Sequence, residues 1–111
     1  MITERALEFI DQNQENPFLL YVGYNIPHYP EQALEEHTEL YQDLPMPRRS
    51  YAAIMTTTDH YMGIVMEKLD DLGLTENTIV IFQSDNGHSV EDKAGLTMDD
   101  HKSGLPTGHY Y

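Results

Sequence analysis

Two neighbouring side chains, Asp85 and Asn86, carry the oxygen atoms that hard divalent cations prefer. A carboxylate beside a carboxamide offers two oxygen ligands from adjacent positions, which suits calcium or magnesium and suits zinc poorly. Followed by Gly87, the same residues also form an ordinary turn sequence after a strand. On these residues alone, a metal site and a plain turn are both open.

His28 is the second candidate for chemistry, because it lies between Pro27 and Pro30 in a loop that the two prolines keep extended and stiff. An imidazole held there could contact an anionic ester oxygen or protonate a leaving oxygen. It could equally cap a strand end and hydrogen-bond to the backbone. The other histidines are predicted to lie on loops, on the surface or on helix faces; they are His37, His60, His88, His101 and His109.

Two apolar runs, residues 18–24 and 78–82, place these candidates in a fold. Unbroken apolar runs of this length are typical of strands that are covered on both faces in a parallel sheet. Between them, apolar residues recur every three or four positions from residue 48 to 72, which predicts one long helix. The order is therefore a βαβ unit, in which a right-handed crossover brings both strand ends, and with them His28 and Asp85, to one edge of the sheet.

The remaining elements are shorter. Helical spacing predicts an amphipathic helix over residues 3–12, and the polar stretch 31–41 is consistent with a short surface helix. Gly73 suits the left-handed cap position after the long helix. Gly63, one turn after Asp59, is expected where another element packs closely on that helix. We predict one α/β domain over residues 1–111, which is partial because both ends look cut, with residues 87–111 mostly loop.

Charge and composition exclude several partners. Six basic against 19 acidic residues give a formal net charge of −13, which argues against nucleic acid and anionic membranes. No apolar run approaches the length needed to cross a bilayer, and no signal-peptide pattern opens the chain. The absence of cysteine excludes disulfides, thiolate metal sites and cysteine catalysis for these 111 residues.

Three stretches, in this order, resemble the type I sulfatases of the alkaline phosphatase superfamily. Residues 17–30 resemble that family's strand and Pro-His-x-Pro loop. Residues 49–69 look like the long helix that follows. Residues 77–87 are similar to the family's strand and Asp-Asn-Gly turn. Together they cover most of residues 3–88 at compatible separations, so the chain is identified as a central portion of a sulfatase catalytic domain with a partial alkaline-phosphatase-like α/β sandwich.

The resemblance implies hydrolysis of a sulfate ester of a small molecule or a glycan, in which a formylglycine hydrate attacks sulfur beside one calcium ion. It implies that His28 contacts sulfate and that Asp85 and Asn86 are calcium ligands. It also implies a periplasmic or secreted location, although the chain itself carries no signal for one. The sequence indicates neither the particular ester nor the oligomeric state.

The chain departs from the family's pattern in three ways. The Cys-x-Pro-x-Arg motif that supplies formylglycine and the early Asp-Asp pair of calcium ligands have no counterpart here. The sulfate-binding lysine expected downstream is also missing, and neither Lys93 nor Lys102 is a good substitute. We therefore expect the 111 residues alone to be inactive. The alternatives are a related phosphoesterase or phosphonate esterase and a non-catalytic calcium-binding or structural remnant.

Overall fold

The computed structural model describes residues 1–28, 32–46 and 48–85. It contains three α-helices, α1 (Ile2–Asn13), α2 (Glu35–Glu39) and α3 (Arg48–Asp71), followed by a 3-10 helix (Thr75–Asn77). The predictions of a helix over 3–12, a short helix within 31–41 and a long helix over 48–72 are therefore confirmed. No helix in the described ranges is long and apolar enough to cross a membrane.

The end of α3 shows why the glycine after it matters. Gly73 has a φ of +67°, a backbone conformation that favours glycine. Its N–H donates to the carbonyl of Asp70, and the N–H of Leu74 donates to the carbonyl of Leu69, both at 2.8 Å. This pair of bonds is the Schellman arrangement, which satisfies two of the carbonyls that the helix end leaves open. The predicted cap is confirmed.

The chain divides into two compact units. The first comprises Met1–Asn25 and Asp59–Ile81, and the second comprises Ile26–Thr58 and the chain from Phe82 onward. The prediction of one partial domain over residues 1–111 remains a prediction.

The first unit is built on one stripe of α1. Thr3, Ala6 and Ile10, at three- and four-residue intervals, are at most 5% exposed, and Leu69 on α3 is as deeply buried. Beside this core, Lys68 forms an ion pair with Asp11 at 2.5 Å. Because these two charges are partly exposed, we assign most of the unit's stability to the buried side chains.

In the second unit, α2 and the preceding loop are attached to α3 through one buried hydroxyl. Thr57 is 2% exposed, and its hydroxyl donates to the carbonyl of Ala53 at 2.9 Å. The same oxygen accepts the N–H of Leu34 at 3.1 Å and lies 2.9 Å from Nδ1 of His37. Because the single hydroxyl proton is already donated, His37 must be the donor from Nδ1.

His37, which the sequence analysis placed on the surface or on a helix face, lies on α2 and is only 9% exposed. Its burial could not be predicted, because α2 is too short for its sequence to show which side is covered. By contrast His60 is exposed on α3, as predicted, with its ring 5.4 Å from that of Tyr61.

The βαβ unit is not confirmed, because no strand occurs in the described residues. Residues 17–25 and 79–83 make no backbone-to-backbone hydrogen bond with another described part of the chain. A ladder requires two extended backbones about 4.8 Å apart with their N–H and C=O groups paired. The apolar runs indicated an extended backbone with side chains that can be buried. They could not indicate which other segment would pair with that backbone.

Burial nevertheless follows a two-residue period along the first of these segments. Phe18, Leu20, Val22 and Tyr24 are half-buried, whereas the residues between them are exposed. Extended backbone points alternate side chains to opposite faces, so this period indicates a strand-like conformation with one covered face. The expectation that both faces are covered is wrong for the described chain, in which Leu19 and Tyr21 are over 90% exposed.

The Gly63 prediction is also wrong within the described structure. A β-carbon placed on Gly63 would meet no heavy atom within 4 Å. No described element therefore packs closely against this face of α3.

Candidate functional site

The segment that leads to His28 is anchored by side chains of the first unit. Phe18 packs edge to face against Phe9 of α1, with ring centroids 5.8 Å apart at 84°. At the other end of the segment, the hydroxyl of Tyr24 lies 3.2 Å from that of Thr3 and donates to the carbonyl of Tyr61 at 3.3 Å. Residues 17–25 are thus held at both ends by contacts with helices.

His28 itself lies in a turn after a cis peptide bond between Ile26 and Pro27. The residue is exposed. An exposed imidazole next to a proline-constrained turn is accessible to a ligand and limited in backbone motion. These two properties fit the predicted contact with an anionic ester.

Asp85 is the last residue before the part of the chain that is not described. It is exposed, and both Asp85 and the preceding Ser84 have polar interactions. The second compact unit contains both His28 and Asp85. The other predicted ligand, Asn86, lies outside the described residues, as do Lys93, Lys102, His88 and the predicted loop 87–111.

Within the ranges that the structure describes, no group of three or more histidine, cysteine or acidic side chains could hold a metal ion. The chemistry of Asp85 and Asn86 fits calcium, since both supply hard oxygen atoms. Calcium takes six to eight such ligands, however, and two adjacent residues provide only a small part of that number. Asp85 and Asn86 therefore cannot make up a calcium site by themselves.

Arg49 is a polar feature that the sequence analysis did not single out. It lies in the first turn of α3, and its Nε donates to the carbonyl of Leu44 at 3.0 Å while Nη2 donates to the carbonyl of Gln42. The only signal in the sequence was the pair Arg48-Arg49 after two prolines in a chain with six basic residues.

Comparisons with known proteins define the class to which these residues belong. The sequence model of the Sulfatase family matches residues 1–110. The chain belongs to the sulfatase family, and the family assignment made from the three motif stretches is confirmed.

Individual relatives show how much of a sulfatase the chain represents. N-acetylgalactosamine-6-O-sulfatase of Bacteroides thetaiotaomicron is 34% identical over 99 residues, which are 83% of this chain and 17% of that protein. Steryl-sulfatase of Homo sapiens is 32% identical over 95 residues, or 82% of this chain and 15% of the human protein. The chain thus spans less than a fifth of the length of these curated relatives.

A solved structure is similar to this chain in fold. The crystal structure of Ps i-CgsB in complex with k-i-k-neocarrahexaose is similar with a TM-score of 0.71 at 34% sequence identity. The similarity covers 78% of this chain and 20% of the other.

Proposed function

We propose that this chain is part of a sulfatase catalytic domain that hydrolyses sulfate esters of glycans with one calcium ion. The observation that carries the proposal is the family match over residues 1–110, a range that includes His28, Asp85 and Asn86. The relative that acts on N-acetylgalactosamine 6-sulfate and the structure bound to neocarrahexaose support a glycan. The steryl-sulfatase relative supports a small-molecule ester as the alternative.

His28 has the chemistry for a role at the ester. Its exposed imidazole can donate a hydrogen bond to a sulfate oxygen or give a proton to the oxygen that leaves. The proline before it supports this role, because it leaves the backbone few alternative conformations and so limits the positions of the ring. We assign it the sulfate contact.

Asp85 and Asn86 would hold the calcium ion through a carboxylate and a carboxamide oxygen. When bound, the ion draws negative charge from the sulfate oxygens as a Lewis acid. Asp85 also adds a fixed negative charge that balances the cation in a chain that is already strongly acidic.

The same proposal requires that the 111 residues alone release no sulfate, because neither a formylglycine motif nor a full calcium ligand set is present in their sequence. Calcium titration of this chain, followed by calorimetry and thermal unfolding, tests the point. We expect no rise in Tm at calcium concentrations that saturate a complete sulfatase. Tight binding with a clear rise in Tm would instead favour a self-contained calcium-binding module, since a ligand specific for the folded state stabilises it.

Asp85→Asn is the matched variant for that titration, and His60→Ala is its control. If the chain binds calcium at all, Asp85→Asn weakens it by about tenfold or more, because one charged ligand is lost. His60 lies exposed on α3 and should leave calcium binding unchanged.

A further inference from the structure

A cavity of about 350 Å³ opens in the second unit, beside the start of α3. Its wall combines the loop before α2, one residue of α2, and the turn that leads into α3. The lining residues are Gln32, Ala33, Thr38, Met46, Arg49 and Ser50.

The charge in this wall belongs to Arg49. A guanidinium has five N–H donors, and here two of them are directed to the carbonyls of Leu44 and Gln42. These bonds fix the plane of the group, while its Nη1 donors have no partner among the described residues. No carboxylate of the described chain forms an ion pair with Arg49. Within the part of the chain that the structure describes, two carbonyls therefore hold Arg49 and no carboxylate pairs with it.

The rest of the lining suits an anion with polar substituents. None of the six lining residues is acidic, although the chain carries 19 Asp and Glu residues. Gln32 adds a carboxamide, and the Thr38 hydroxyl, which donates to the carbonyl of Leu34 at 3.2 Å, keeps an oxygen that can accept from a sugar hydroxyl.

We propose that this cavity is a second anion subsite, at which Arg49 binds an oxyanion group of the glycan, a sulfate or a carboxylate, that is not the one hydrolysed. The proposal rests on the proposed function, because it makes the substrate an oligosaccharide with more than one anionic group. Gln32 follows His28 by four residues, so their α-carbons are at most about 15 Å apart. A short oligosaccharide can therefore reach both.

The test is a titration of the isotopically labelled chain, followed by NMR at constant ionic strength, because salt screens weak charge interactions. The ligands are galactose 6-sulfate, galacturonate and, as the uncharged control, galactose. We expect the Arg49 Nε–H and the Thr38 amide to shift with a Kd of the order of millimolar for an anionic sugar and not for galactose. The two anionic sugars distinguish a sulfate from a carboxylate site.

Thr38→Glu is the informative variant, because it places a carboxylate in the cavity and leaves both carbonyl bonds of Arg49 in place. It should weaken binding by about fivefold or more. Thr75→Glu makes the same change of charge at an exposed position in the first unit and should bind like the unchanged chain. Shifts confined to residues outside the cavity, or equal effects of the two variants, would overturn the proposal.

A second readout uses the complete protein encoded around this sequence. Thr38→Glu should raise KM for a glycan with two anionic groups by a larger factor than KM for a singly sulfated substrate. A fall in kcat on both substrates would overturn the subsite. Because the NMR titration needs no turnover, it separates failure of the subsite from failure of the sulfatase proposal.

Discussion

Residues 17–25 and 78–85 look alike in sequence and differ in structure. Both are apolar runs that lead to a predicted site residue, His28 after the first and Asp85 at the end of the second. In the first run, alternate side chains are half-buried, and those at its two ends, Phe18 and Tyr24, contact helices of the same unit. In the second, Ile79, Ile81 and Phe82 are 73–90% exposed. The described chain therefore supports the segment that leads to His28 better than the segment that leads to Asp85.

The largest expected effect comes from replacing one phenylalanine in each run with alanine. Phe18→Ala removes the edge-to-face contact with Phe9 and should lower the free energy of unfolding by about 2 kcal/mol. Phe82→Ala, at an exposed position, should change it by less than about 0.5 kcal/mol. Urea unfolding measures both. Equal losses would mean that the second run is covered as well as the first.

A pair of tyrosines sharpens the comparison within the first run. Tyr24→Phe removes the hydroxyl that bonds Thr3 and the carbonyl of Tyr61, and should destabilise the fold by about 1 kcal/mol. Tyr21→Phe removes a hydroxyl from a side chain that is 91% exposed and should be neutral. If Tyr21→Phe were the more damaging change, the assignment of covered and open faces would be wrong.

At Gly63, on the face of α3 against which no described element packs, we expect a substitution to raise the free energy of unfolding and not to lower it. Because a β-carbon at Gly63 meets nothing within 4 Å, Gly63→Ala should stabilise the 111-residue chain by about 0.5–1 kcal/mol through the better helix propensity of alanine. Thermal unfolding measures the gain. A loss of stability would show that some part of the chain does pack against this face.

The smallest expected effect is at the start of α1, the helix that covers the first run. A hydrogen bond from the Met1 ammonium, with its charge, lowers the pKa of Glu4 from 4.5. A lowered pKa gives a stabilisation that is present above pH 4.5 and is lost as the pH falls through the folded-state value. Acetylating the amine should return the pKa to its ordinary value, which an NMR titration of the Glu4 carboxyl would detect; an unchanged pKa would contradict the pairing.

Sequence periodicity was sufficient for α1 and α3, because each of these helices buries side chains of its own stripe. The stripe of α1 and the glycine after α3 are local properties, and both predictions are confirmed. Strand pairing is not local. The run at 18–24 indicates extended chain, but its partner depends on residues far away in the sequence, and the described chain forms no ladder.

The residues of the candidate site likewise divide into those that sequence motifs identify and those that depend on distant contacts. The motif stretches identified the family, and with it the proposed roles of His28, Asp85 and Asn86. The burial of His37 and the carbonyl bonds of Arg49 could not be predicted, because each depends on the folded path of the loops around α2.

The central claim is that His28 acts on a sulfate ester in the complete protein encoded around this sequence. The most direct measurement is sulfate release from N-acetylgalactosamine 6-sulfate by that protein, with His28→Ala and the exposed-histidine control His60→Ala. We predict that His28→Ala lowers kcat by about 10²-fold or more, while His60→Ala stays within about twofold of the unchanged protein. Equal rates in the two variants, with both proteins folded, would contradict the account.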